Sequence, residues 1–194
     1  MSAEAFADKK NIVFIESTTL QIRKILELIA YLSMLVNTDK LNSKQRSEWH
    51  AKEIIENLSE KTTVFYPFPS NVVLPDSSNS QPILFPIGYA DALSQTEFKE
   101  LYQFCGKVLH AQHPFKKLSD IKVVFEKNKN SIEKLKRLLA SHTIGIKHET
   151  SMYTFLFVEI DFTSNQDAKP SSIRQFNSRI FNEKELIAIF NGNY

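Results

Sequence analysis

The chain has 194 residues, 42% of them hydrophobic, and its 24 Lys and Arg against 22 Asp and Glu leave a net charge of +2. This allows a substantial core in one domain, or one domain with an appendage, and excludes the global positive field of a strongly basic nucleic-acid binder. A lone cysteine excludes an internal disulfide framework. No run reaches the roughly 18 apolar residues of a membrane span, and the first residues lack the basic-then-apolar order of a signal peptide, so a cytoplasmic protein with no membrane partner is expected.

Thr18 with Gln21 three residues later reads as a capping box ahead of an apolar run that continues to Val36. Leu20, Ile22, Ile25, Leu26, Leu28, Ile29, Leu32 and Leu35 cover most of the helix circumference, which predicts a central, largely buried helix. Arg23, Lys24 and Glu27 mark its wet side. After a polar break at residues 37–42, the spacing of Ala51, Ile54, Ile55 and Leu58 predicts a second helix from Ser43 to Ser59.

Residues 61–92 hold five of the seven prolines, Pro67, Pro69, Pro75, Pro82 and Pro86. Proline removes a backbone donor and fixes φ, so a long connection with extended pieces is expected here in place of regular structure. Tyr66, Phe68, Phe85 and Tyr89 are expected to hold its ends against the body as aromatic pegs.

Ser94-Gln-Thr-Glu97 is a capping box, followed by Phe98, Leu101, Tyr102, Cys105, Val108 and Leu109 at helical spacing. Gln103, Lys107 and His110 share the opposite, polar face. His113 and Pro114 stop this helix. The next is expected from Lys117 to Ala140, with a packing seam of Leu118, Ile121, Phe125, Asn128, Ile132, Leu135 and Leu139 whose polar member, Asn128, suits a register-fixing role inside a bundle or across a dimer. From Lys116 to Ala140 there are eight Lys or Arg against three acids.

The last quarter turns aromatic and β-branched. Residues 152–162 predict a strand, with 142–148 as its hairpin partner and 173–180 as a third strand. A short helix is expected after Asn182, which has Glu185 at the capping-box position. The expected division is a helical domain over residues 1–140, including the proline-rich loop 61–92, and a small β appendage with a terminal helix over residues 141–194.

With four glycines in the chain, there is no glycine-rich phosphate loop, and neither a paired-cysteine nor a His-Glu-x-x-His metal pattern occurs. His110 and His113 supply two metal ligands with no neighbouring acid or thiol to complete a set, so no metal and no cofactor are expected. Cys105 lies on the apolar face of its helix, as expected of a buried, inert thiol. His50, His142 and His148 have no partner visible in the sequence.

The segments 22–30, 49–58, 65–67 (Phe-Tyr-Pro) and 102–111 (Tyr-Gln-Phe-Cys-Gly-Lys-Val-Leu-His-Ala), in this order, resemble a group of bacterial proteins associated with the HEPN superfamily. The resemblance covers roughly residues 17 to 140. It implies a mainly α fold, a HEPN-like helical bundle carrying the small C-terminal β-hairpin or three-stranded appendage, and it implies a homodimer. It also implies an RNA-binding protein: either a metal-independent endoribonuclease of a toxin-antitoxin or phage-defence type, or a non-catalytic dimeric module that binds RNA or a partner protein. The family's usual motif sets an arginine about one to two helical turns before a helix-end histidine. His110 matches the histidine, whereas Cys105, Phe104 and Gln103 stand where the arginine belongs. Metal-free RNA cleavage needs a proton acceptor for the 2′-hydroxyl and a cation for the phosphorane charge. The resemblance therefore nominates His110 as base, Lys107 as cation and His113 as partner acid, with Lys116, Lys117 and Lys122 of the basic helix holding the RNA backbone.

Overall fold

The computed structural model describes residues 3–73, 82–110, 121–148, 153–162 and 169–178, together with Ala188. Its first element, helix α1 (Ala3–Val36), starts well before Thr18. Neither proline nor glycine interrupts it, and Thr18 is not its cap. The Thr18 and Thr19 hydroxyls instead donate back to the carbonyls of Phe14 (2.8 Å) and Ile15 (2.9 Å) within the helix. Thr19, Ile22, Leu26, Ile29, Ala30 and Ser33 are buried, but Leu20, Leu28, Leu32 and Leu35 are exposed. The expectation of burial around most of the circumference therefore fails, because helices α3 (Ala51–Ser59), α4 (Gln95–Leu109) and α5 (Ile121–Ala140) pack on α1 and leave its other side uncovered among the described residues.

A 3-10 turn (Thr38–Lys40) follows, and the helix expected over residues 43–59 is split into α2 (Ser43–Arg46) and α3. Asn42 and Gln45 form a capping box that starts α2. The break falls where the N–H groups of Trp49 and His50 both donate to Glu48 Oε1, at 2.9 and 2.8 Å, and so leave the helical ladder. The four residues expected on the apolar face of α3, Ala51, Ile54, Ile55 and Leu58, are all buried.

The proline-rich segment forms two antiparallel strands, β1 (Phe68–Val73) and β2 (Ile83–Pro86). These join β3 (Ser141–Lys147), β4 (Tyr153–Asp161) and β5 (Lys169–Ser178) in one sheet of order β2-β1-β3-β4-β5. All neighbours are antiparallel. The expected mainly α bundle with a small hairpin or three-stranded appendage is thereby corrected: the protein combines helices with a five-stranded sheet that draws two strands from the middle of the chain. Proline is tolerated at sheet edges, where a donor is not required, and β2 is such an edge. Pro69 in β1 acts through its carbonyl, which accepts the Ile87 N–H at 2.9 Å.

The main core gathers Ile22, Leu26 and Ile29 of α1, Ile54, Ile55 and Leu58 of α3, Phe98, Leu101, Tyr102 and Cys105 of α4, and Leu135 and Leu138 of α5. Full burial of each large aliphatic side chain contributes about 1.5–3 kcal/mol. Tyr66, whose hydroxyl donates to the Leu93 carbonyl at 3.1 Å, and Tyr89, whose hydroxyl donates to Pro67 at 3.0 Å, bind the proline-rich segment to this core as pegs. On α5 the buried residues are Val124, Asn128, Ser131, Leu135 and Leu138. Phe125 is exposed, and Ile132 and Leu139 are partly buried, so the seam is rotated from the expected one because α5 also packs on β1, β3 and β4. A second cluster of Val64, Tyr153 and Phe155, with Leu84 and Phe176 against it, secures the far strands. No helix among the described residues is long and apolar enough to cross a membrane. The terminal helix expected after Asn182 falls outside the described residues, apart from Ala188.

Candidate functional site

Helix α4 begins as its sequence requires, with the Ser94 hydroxyl accepting the Glu97 N–H and the Glu97 carboxylate accepting the Ser94 N–H. It ends at His110, the C-cap residue, whose extended backbone (φ −76°, ψ 144°) turns the chain out of the helix while its N–H still donates to the Gly106 carbonyl at 3.0 Å. Lys107 and His110 are both exposed. Their three-residue separation puts them about 4.5 Å apart along the axis and on neighbouring faces. His113, Lys116 and Lys117 lie outside the described residues. Lys122 is exposed in the first turn of α5.

The described structure also brings a residue to this helix that sequence spacing did not connect with it. Arg23 of α1 lies against α4, and a Cβ added at Gly106 would sit 3.1 Å from its Nη1. Arg23 donates through Nη2 to the Tyr102 hydroxyl (2.9 Å) and through Nε to Glu27 Oε1 (3.0 Å), while the Tyr102 hydroxyl donates to the same carboxylate oxygen (3.3 Å). The guanidinium carbon also stands 4.4 Å from the Tyr102 ring centroid. Since Arg23 meets Gly106 and Glu27 meets Tyr102, α1 and α4 run antiparallel, and the guanidinium sits about one helical turn before His110. A glycine inside a helix costs about 1 kcal/mol relative to alanine. Gly106 was the one sequence signal that a neighbour approaches α4 closely here.

On its other side, Lys127 of α5 places its ammonium 4.5 Å from the Phe104 ring centroid. Arg23 and Lys127 both act on the Cys105 thiol between them, favouring the thiolate, but burial outweighs them and pushes Cys105 up to about 11. The expected inert thiol is thus a buried one held protonated. Burial also raises Tyr102, with Arg23 opposing and Glu27 adding to the rise. The His50 ring packs edge-on to Tyr102 at 5.1 Å, and its Nδ1 is buried without a hydrogen-bond partner.

A groove of about 380 Å³ beside the first half of α4 carries Lys127 and Lys134 but also Glu97 and Glu100, and Lys134 is already paired with Glu97. Two carboxylates make it a poor seat for a polyanion. Towards the C-terminal end of α4 stand the exposed Lys107, Lys127 against the Phe104 ring, and Arg23 in its pair with Glu27. No group of three or more histidine, cysteine, aspartate or glutamate side chains is placed to hold a metal ion among the described residues. His142 and His148 stand in the sheet region, with His142 Nδ1 at 3.1 Å from the Leu139 carbonyl and His148 Nε2 at 2.8 Å from Thr154 Oγ1. No protein-family model matches the chain, and neither a curated protein nor a solved structure matches it.

Proposed function

We propose that the protein binds RNA at the C-terminal end of α4 and cleaves it without a metal ion, His110 serving as the proton acceptor. The observation that supports this reading is Arg23, held against Gly106 about one turn from His110. It offers a guanidinium from α1 in place of the arginine that α4 itself lacks. His110 takes the proton of a ribose 2′-hydroxyl, the 2′-oxygen attacks phosphorus, and the 5′-oxygen leaves with a proton from His113 as partner acid. The products are a 2′,3′-cyclic phosphate and a 5′-hydroxyl end. Arg23 and Lys107 stabilise the charge that develops on the phosphorane oxygens. Lys116, Lys117 and Lys122 hold the flanking backbone.

A second reading, an RNA-binding module without catalysis, is favoured by one specific contact. Arg23 is already committed to Glu27 and Tyr102, and a paired guanidinium has less charge to spend on phosphate. Incubation of single-stranded RNA with the chain and with His110→Ala, in the presence of chelator, separates the two. Cleavage to cyclic-phosphate ends by the native chain alone supports the catalytic reading. Equal RNA binding with no cleavage by either leaves the module, and absence of salt-dependent binding overturns both.

A further inference from the structure

Helices α4 and α5 both pack on α1, and the groove of about 380 Å³ between them takes no part in the RNA reading. Its two ends fix the register. At one end Lys134 pairs with Glu97, and the Lys134 carbonyl accepts the Leu93 N–H at 3.3 Å. At the other, the Lys127 ammonium stands 4.5 Å from the Phe104 ring centroid. The helices are therefore antiparallel, with Glu97 facing Lys134 and Phe104 facing Lys127, and this sets Glu100 level with Ser131. Glu97, Glu100, Leu101 and Phe104 recur at i, i+3, i+4 and i+7, as do Lys127, Asn130, Ser131 and Lys134, so each set shares one helical face. Leu93 and Leu101, both buried, give the groove its apolar lining.

We infer that this groove binds a free α-amino acid with an apolar side chain, held as its zwitterion. The charges decide the class. Glu97 and Lys134 offset each other, and no ion pair among the described residues takes up Glu100 or Lys127. One carboxylate and one ammonium remain, both exposed, on opposite walls. A polyanion is repelled by Glu100 and a polycation by Lys127, whereas a ligand with one charge of each sign finds a complement for both. An ammonium group has three donors to place, and Glu100 stands level with two further acceptors, the Asn130 amide and the Ser131 hydroxyl. Ser131 Oγ donates its own proton to the Lys127 carbonyl at 2.7 Å, so its lone pairs are left to accept. Lys127 lies one helical turn from Ser131, about 6 Å along the axis. Its flexible stem brings the ammonium to a carboxylate carried on the same carbon as the ligand's amine. The volume falls near the lower end of the roughly 300–1,000 Å³ of small-molecule sites, which suits an amino acid. This inference rests on the facing sides of α4 and α5 alone and stands whether or not the chain binds RNA.

Titration calorimetry of the full chain with L-leucine, leucinamide, N-acetyl-leucine and glycine tests it. Leucine is expected to bind with a Kd on the order of 0.1–1 mM. Leucinamide lacks the carboxylate, N-acetyl-leucine the ammonium and glycine the side chain, and each is expected to bind at least about tenfold more weakly. Glu100→Gln and Lys127→Met are each expected to weaken leucine at least about tenfold and, both residues being exposed, to leave the thermal melt unchanged. Lys127→Met should no longer tell leucine from leucinamide, and Glu100→Gln should no longer tell leucine from N-acetyl-leucine. No leucine binding up to about 10 mM overturns the inference. So do blocked analogues or glycine that bind as tightly as leucine, and variants that bind leucine as tightly as the native chain.

Discussion

Asn128 Nδ2 donates to Thr19 Oγ1 at 2.8 Å and to the Ile15 carbonyl at 3.2 Å, tying α5 to α1 across 109 residues of sequence. The amide is buried, and its Oδ1 has no partner. Asn128 thus fixes the lateral position of α5 within one chain. A buried amide that is half satisfied gives specificity at a cost in stability.

For this reason Asn128→Ala is expected to lower stability by about 1–3 kcal/mol, through lost hydrogen bonds and a new void. Asn128→Leu, which fills the space and removes the unpaired oxygen, should lose less. Urea titration of both variants checks the order.

Gly106→Ala separates the site from the fold. Alanine favours the helix by about 1 kcal/mol, but its methyl carbon meets Arg23 Nη1 at 3.1 Å. Stability is expected to change by less than about 1 kcal/mol while RNA affinity falls, because the guanidinium is pushed away from the helix end. Lys107→Ala should instead flatten the salt dependence of single-stranded RNA binding by about 0.7 in the log–log slope. Binding isotherms at several salt concentrations give both quantities.

Gly145→Ala is expected to be among the more damaging small substitutions, at about 1–3 kcal/mol. A Cβ at this position would lie 2.8 Å from both the Cβ and the carbonyl oxygen of Val64, and the Gly145 N–H donates to that same oxygen at 2.8 Å. The backbone of β3 has room for a hydrogen there and nothing larger. Thermal melts of Gly145→Ala against Gly88→Ala, where the φ is +91° and the space is open, distinguish crowding from backbone strain.

Stability is expected to fall on acidification in two stages. Burial lowers the His142 pKa, with the Leu139 carbonyl opposing. The unfolded chain therefore binds that proton first, and stability is lost as pH drops below about 6.5 towards the folded value. Glu97 is lowered overall: burial alone raises it, but Lys134 and Ser94 outweigh burial. Its contribution is present above about 4.3, the unfolded value, and disappears as pH falls through the folded one. Denaturant midpoints measured from pH 8 to pH 3 should lose the upper stage in His142→Gln and the lower in Glu97→Gln.

Cys105, raised to about 11 by burial despite Arg23 and Lys127, should react with thiol reagents at neutral pH no faster than the protein opens. Labelling that proceeds at the rate of a free thiol without denaturant would contradict this.

Local order is written in the sequence. The Ser94–Glu97 box, the buried quartet of α3, the singular position of Asn128 and the alternation of Tyr153, Phe155 and Phe157 all follow from spacing, because capping and one-sided burial act over one or two turns. The class of the fold does not follow, since β1 pairs with β3, Phe68 with Thr143, across 75 positions of sequence and no local pattern marks that partnership. Proline also disguised two strands that edge and near-edge positions tolerate. For the site, the sequence supplied His110 and Lys107 on one helix end. Only the antiparallel packing of α1 on α4 decided that Arg23, which spacing marks merely as a wet residue, stands beside Gly106, and that Leu28 and Leu35 face outward. Periodicity says that a helix is amphipathic, whereas its partners determine which side is left for something else to bind.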